Sequence, residues 1–271
     1  MGRGAFDTHS HLQDPKLAGQ FARVLERARE AGVAGVALCG YDAPSNQAAL
    51  ELAARSAMVF PTVGFHPHEA DDVTPAMLAE LESLAESPEV VAVGEIGLDF
   101  YRNLSSHEAQ RRLIDAQLEI ALRVRKPVCV HTRSAEDAAI AHLAPFAASA
   151  REAGLKIPGV MHCFGGSAEQ AQPYLEAGYL VSIACPVTYP KNEETRRLVR
   201  TLPLEALVIE TDSPYLPPQT RRGQLNEPAY VMEAARAVAE LREESLERVL
   251  AVTTRNAELL FGIRVDAEVA A

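Results

Sequence analysis

Two histidines one residue apart follow an apolar start, in Phe6-Asp7-Thr8-His9-Ser10-His11-Leu12. In a β-strand successive side chains alternate faces, so His9 and His11 would aim both imidazoles at one point. In a helix they would diverge. A single His-x-His pair is a weak signal, and alone it reads as a strand end with two half-exposed histidines. The same residue types recur downstream, each time after an apolar run. His66 and His68 lie in Gly64-Phe65-His66-Pro67-His68, and Glu95 and Asp99 in Gly94-Glu95-Ile96-Gly97-Leu98-Asp99. His131 lies in Val130-His131-Thr132-Arg133, His162 in Met161-His162-Cys163-Phe164, and Glu210 and Asp212 in Ile209-Glu210-Thr211-Asp212-Ser213-Pro214. A buried imidazole or carboxylate is costly unless it is paired or binds metal. Any one of these taken singly reads as a satisfied core or loop residue; the set together does not. Mixed imidazole and carboxylate donors suit Zn²⁺, Mn²⁺, Fe²⁺ or Ni²⁺ better than Ca²⁺, with Mg²⁺ competing through availability. The donors outnumber what one ion needs, so two divalent ions bridged by a carboxylate and a water are expected.

Such residues converge only if the strands that carry them close into a ring. The pattern predicts strands at the start of the chain, Val33–Gly40, Val59–His68, Val90–Asp99, Pro127–Thr132, Gly159–Phe164, Tyr179–Cys185 and Leu207–Thr211. Their near-continuous apolar runs suit a parallel sheet covered on both faces. Helical spacing predicts helices at Pro15–Ala31, from Ser45 to about Ala57, from Thr74-Pro75 to Pro88, and from a Ser105/Glu108 capping box to Arg125. Further helices are expected from Ser134, interrupted near Pro145, after a Ser167/Gln170 cap, at Pro228–Leu241 and at Ser245–Phe261. Eight strand-helix repeats without a linker or composition break give one α/β domain, a (β/α)8 TIM barrel over residues 1–262, with a C-terminal tail at 263–271. A doubly wound open sheet is the structural alternative, but it would spread the strand-end donors along a line.

The composition agrees. A chain of 271 residues with 48% hydrophobic content can bury a large core. Its formal charge of −11, from 26 basic and 37 acidic residues, argues against a broad basic surface gripping nucleic acid. It leaves room for a phosphate entering a pocket whose cations set the local field. Cys39, Cys129, Cys163 and Cys185 form no Cys-x-x-Cys pair and sit among apolar neighbours, as free thiols in a reducing compartment do. No signal segment or membrane-length apolar run is seen, and the expectation is a cytoplasmic protein, monomeric or weakly oligomeric.

The motifs Asp7-Thr8-His9-Ser10-His11-Leu12, Gly94 to Asp99, His131-Thr132-Arg133, His162-Cys163-Phe164 and Glu210 to Leu216 resemble those of the TatD-type metal-dependent deoxyribonucleases of the amidohydrolase superfamily. Arg222-Gly223-Gln224-Leu225-Asn226-Glu227-Pro228 is similar to that family's Arg-Gly-x-x-Asn-x-Pro turn. The resemblance covers nearly the whole chain and implies a TIM barrel with two divalent ions (Zn²⁺, Mn²⁺ or Mg²⁺). It implies that His9, His11 and Asp212 hold one ion, that His131 and His162 hold the other, and that Glu95 bridges them. The Pro145–Pro158 connection is longer than the family pattern.

The chemistry expected is hydrolysis of a DNA phosphodiester, acting from the 3′ end of a single or frayed strand. Asp212 would take the proton of the attacking water. Arg133 and Arg102 are candidate phosphate clamps, and His66 would help to hold the phosphoryl oxygens. Glu210 would orient a ligand imidazole. Tyr101 and Tyr189 could stack a base. A D-aminoacyl-tRNA deacylase or another ester or amide hydrolase would use the same donors, and a non-catalytic scaffold is a third reading.

Overall fold

The computed structural model describes residues 3–265. Strands and helices alternate along it: β1 Ala5–Ser10, α1 Pro15–Ala18, α2 Phe21–Glu30, β2 Val33–Cys39, α3 Ala43–Ala53, β3 Val59–Val63, α4 Pro75–Ala85 and β4 Ala92–Asp99. Then follow α5 His107–Val124, β5 Val128–Arg133, α6 Glu136–Glu152, β6 Gly159–His162, α7 Ala168–Ala177, β7 Leu180–Ile183, α8 Glu193–Thr201, β8 Leu207–Ile209, α9 Val231–Arg242 and α10 Leu246–Phe261. The eight strands form one parallel sheet in sequence order, β1 to β8, curled into a nearly closed (β/α)8 barrel.

The seam between β1 and β8 closes differently from the other joints. Only one isolated bridge, Ser10 to Ser213, pairs the two edges. His11 N–H donates to the Ser213 carbonyl (2.7 Å) and Asp212 N–H to that of His9 (3.0 Å). Side chains do the rest. The fully buried Asp7 carboxylate accepts from Thr211 N–H (2.8 Å) and from the Thr211 hydroxyl (2.6 Å). Thr8 donates to the Ile209 carbonyl at 3.0 Å.

Near the strand starts the barrel is filled by an apolar cluster that includes Phe6, Cys129, Val160, Leu180 and Val208. The Phe6 ring packs on Phe60 (5.5 Å between centres) and on Phe261 of α10 (5.7 Å), which plugs this end. Of the expected tail, Ile263 and Val265 pack partly buried against this cluster; residues 266–271 lie outside the described residues. Two glycines let β4 and β5 approach closely. A Cβ on Gly94 would lie 2.5 Å from that of Cys129, and one on Gly97 (φ +148°) 1.9 Å from the His131 carbonyl oxygen.

Several boundaries differ from the sequence pattern, for local reasons. The expected helix at Pro15–Ala31 is broken at Gly19-Gln20 into α1 and α2. Asp42 caps α3, with Ser45 as its N3 partner in a reciprocal capping box. Ser106, not Ser105, caps α5, because the Ser105 hydroxyl is spent on the His68 carbonyl (2.6 Å). Helix α6 runs through Pro145 without a break. The proline faces solvent, where the carbonyl left without a partner can be hydrated, while Leu143, Phe146 and Ala147 pack inward. Helix α8 is strongly charged and buries only Leu198 and Val199, so it carries little apolar stripe. Strand β3 stops at Val63, and His66 caps a 3-10 turn over Pro67–Glu69. No helix among the described residues is long and apolar enough to cross a membrane.

Candidate metal centre

Every strand end singled out in the sequence reaches the C-terminal mouth of the barrel, around a pocket of ≈ 470 Å³ whose walls include His11, Glu95, His131, His162 and Asp212. A larger cleft of ≈ 570 Å³ lies elsewhere, against α10 and the starts of β4 and β5, and is lined by no histidine. At the centre of the mouth is Glu95, 4% exposed. Its Oε2 lies 3.4 Å from His9 Nε2 and 3.5 Å from His11 Nε2. Its Oε1 lies 3.1 Å from His131 Nδ1, 3.5 Å from His66 Nε2 and 3.8 Å from His162 Nε2. Asp212 Oδ1 is 3.6 Å from His11 Nε2 and 3.9 Å from His162 Nε2.

Three groups of side chains have donor atoms close enough to share an ion: His9, His11 and Asp212; His9, Glu95 and His162; and His66, Glu95 and His131. Glu95 is common to two of them. His66, expected only against substrate, sits among the donors. His131 and His162 stand 6.2 Å apart ring to ring, and each groups with a different partner histidine.

The donor set fits a metal. His11 Nδ1 lies 2.9 Å from the Cys39 carbonyl, which can only accept, so Nδ1 carries the proton and Nε2 presents a lone pair. His9 Nε2 faces that nitrogen at 3.1 Å. Burial, with the charge of His162, lowers the His9 pKa to about 4, so a neutral ring is held here. Two imidazoles presented edge to edge beside a carboxylate are what a divalent ion asks of a protein.

Surrounding carboxylates hold the outer rings. Glu210 Oε1 lies 2.8 Å from His162 Nδ1 and accepts from the Cys163 N–H, also at 2.8 Å. Asp99 Oδ2 lies 2.8 Å from His68 Nε2 and 3.4 Å from His131 Nε2, while its Oδ1 accepts from Tyr101 and Arg102 N–H. Burial opposes ionisation of Asp99, but His131, the Arg102 N–H and His68 outweigh it and lower its pKa. Two neighbours are bent out of ordinary backbone: Cys163 (φ +43°) and Asp212 (φ +59°) both lie in the left-handed region.

The supports of these turns were not read from the sequence. Asn226, inside the Arg-Gly-x-x-Asn-x-Pro turn, is fully buried and donates to the Thr211 (2.8 Å) and Tyr215 (2.7 Å) carbonyls, fixing the loop that bears Asp212. Gln110 grips both backbone groups of Asp99, and Gln117 both of Phe65, beside His66. Both glutamines are fully buried on the apolar stripe of α5 with Leu113, Ile114 and Leu118. A polar residue interrupting an apolar helical stripe was the available signal. Cys163 is only part-buried, its N–H serving Glu210, while Cys129 lies deep in the barrel. Arg102 and Arg133 both line the pocket, and neither has a carboxylate partner among the described residues.

A parallel barrel with imidazole and carboxylate donors gathered at its C-terminal mouth defines a metal-dependent hydrolase of the amidohydrolase type. The chain belongs to the family of TatD-related DNases, whose model matches residues 6–262. It is 37% identical over 267 residues to the 3′-5′ ssDNA/RNA exonuclease TatD of Klebsiella pneumoniae, covering 96% of this chain and 99% of that one. It is 34% identical over 258 residues to an uncharacterised metal-dependent hydrolase, YabD, of Bacillus subtilis, covering 95% and 99%. Among solved structures, the TatD homologue YjjV of Escherichia coli superposes with a TM-score of 0.89 at 32% identity, covering 96% of this chain and 98% of that one.

Metal uptake at pH 7 is expected to release protons. Burial acts to lower the His162 pKa, but the Glu210, Asp212 and Glu95 carboxylates outweigh it and push it up to about 10. The metal-free ring is therefore protonated at neutral pH, and ligation must displace that proton. Affinity should tighten as pH rises toward 10, by up to about tenfold per unit for each proton displaced. Titration calorimetry in buffers of different ionisation heat measures the release; a heat independent of buffer would remove His162 from the ligand set.

Proposed function

We propose that this protein is a 3′-5′ exodeoxyribonuclease that uses two divalent ions, Zn²⁺, Mn²⁺ or Mg²⁺, on single or frayed strands. The observation that carries the reading is Glu95, one buried carboxylate within 3.8 Å of five imidazoles, in a pocket with Arg102 and Arg133 on its wall. The names borne by relatives at this identity favour a nucleic acid over an ester or amide substrate.

His9, His11 and Asp212 would hold one ion. Glu95, His131 and His162, with His66 beside them, would hold the other. When bound, such ions supply a water ionisable near neutral pH and positive charge against the phosphoryl oxygens. The chain's own groups do the rest. Asp212, on the pocket wall beside His11, would accept the proton of the attacking water. Glu210 and Asp99 orient His162 and His131 so that the opposite ring nitrogen faces Glu95. Arg102 and Arg133 bind the non-bridging phosphate oxygens.

The test uses 5′-labelled single-stranded DNA with metal-stripped protein and Mg²⁺, Mn²⁺ or Zn²⁺ added back. A ladder that shortens from the 3′ end, requires the ion, and weakens by about 100-fold or more in His131→Ala is expected. A folded, metal-loaded protein that leaves DNA intact but deacylates aminoacyl-tRNA would overturn the reading.

A further inference from the structure

The large apolar side chains most exposed among the described residues are Tyr101, Leu104, Tyr215, Leu216 and Leu225. All five sit on two loops, the one joining β4 to α5 and the one joining β8 to α9. Strands follow one another around the barrel without a swap, so β4 and β8 stand four positions apart, on opposite sides of the mouth. Apolar groups left in water on loops at opposite sides of a polar mouth suit a contact surface.

On each side one ring carries a cation over a face. The Arg133 guanidinium lies 4.0 Å from the Tyr101 ring centre, and Lys16 Nζ lies 4.7 Å from that of Tyr215. Tyr215 is also tethered, since its hydroxyl donates to Asp14 Oδ2 at 2.8 Å and its ring meets His11 at a steep angle, 6.3 Å between centres. Both rings are oriented, yet they remain 63% and 45% exposed. A held ring with open surface stacks a nucleobase, while the adjoining cation meets the backbone phosphate.

We propose that Tyr101 and Tyr215 are paired base-stacking platforms. A single-stranded nucleic acid lies across the mouth between them, with its scissile phosphodiester over the His/Glu/Asp cluster. This rests on the nuclease reading above. Platforms on opposite sides take bases that point apart, which an unpaired strand supplies and a base-paired end does not. Arg102 and Arg133 place the continuing polymer on the Tyr101 side; Tyr215, next to His11, takes the terminal base.

The test compares hydrolysis of a single-stranded thymidine decamer and of bis(p-nitrophenyl) phosphate by the metal-loaded protein. Tyr101→Ala and Tyr215→Ala are each expected to lower the ratio of kcat/KM, decamer over small diester, by about 5- to 150-fold, chiefly through KM. Tyr101→Phe should keep the ratio. The chain has no tryptophan, so its tyrosines dominate its emission. Adding the decamer to Glu95→Gln protein should quench that emission, and less so once Tyr101 or Tyr215 is also replaced by Ala. An unchanged ratio, or equal losses on both substrates, overturns the platforms while leaving the nuclease reading in place. A parent protein that hydrolyses the small diester but no nucleic acid overturns both.

Discussion

Glu95→Gln protein is expected to fold normally and to hydrolyse at about one thousandth of the parent rate or less. Both oxygens of this carboxylate are engaged, Oε2 toward His9 and His11, Oε1 toward His66, His131 and His162. Burial opposes its ionisation, but the surrounding histidines, His66 and His9 foremost, hold its pKa well below the usual carboxylate range. Glutamine has nearly the same shape but lacks the charge, and its NH₂ would face donor nitrogens where an oxygen is needed. Groups one layer further from a metal already cost 10–100-fold when removed, so a carboxylate common to two donor groups should cost more. Circular dichroism and bound-metal content, measured beside turnover, separate loss of the site from loss of the fold. Near-normal turnover with a full metal load would show that Glu95 is not the shared donor.

Asp212→Asn should push activity and stability in opposite directions. Burial raises the Asp212 pKa to about 6, against an ordinary aspartate value near 4. The folded chain therefore holds this proton more tightly than the unfolded chain does. In the metal-free protein stability falls as pH rises from about 4 through 6, by about 3 kcal/mol from this group once it is ionised at neutral pH. Asparagine has no charge to bury and tolerates the left-handed backbone at this position as aspartate does. With chelator at pH 8 the variant should melt several degrees above the parent, and the gap should close toward pH 4. With metal present the order reverses, because the variant has lost an anionic donor, and hydrolysis should fall by about 100-fold or more. A variant that melts below the parent at pH 8 in chelator would show that the ionised carboxylate is not a burden on the fold.

The barrel was legible because its period is short and regular: apolar runs such as Val33–Cys39 and amphipathic stretches such as Phe21–Glu30 each declare themselves within ten residues. The strand-end donors were legible for the same reason, since each closes an apolar run. What stayed hidden depends on turns and on partners distant in the chain. Pro67 converts the expected end of β3 into a 3-10 turn, so His68 meets Asp99, 31 residues on, rather than repeating the geometry of His9 and His11. His131 and His162 lie on adjacent strands, and only the folded mouth shows that the first also neighbours His66 and the second His9, with Glu95 common to both groups. Of the neighbours Ser105 and Ser106, only one can cap α5, and the choice is set by a carbonyl at His68 that no local pattern reveals. Asp7 reads as part of a motif, but its task, gripping Thr211 across 204 residues, exists only in the folded ring.

That ring has one joint where two edges meet through a single bridge and a few side chains. His9 and His11 stand on one bank of it and Asp212 on the other. Whatever these three grasp together acts as a clasp on the weakest joint of the hoop. Loading the site should then slow amide hydrogen exchange around residues 207–213 and the strand that faces them. Emptying it should let the hoop breathe there first, so the enzyme's working state and its mechanical closure are set by the same grip.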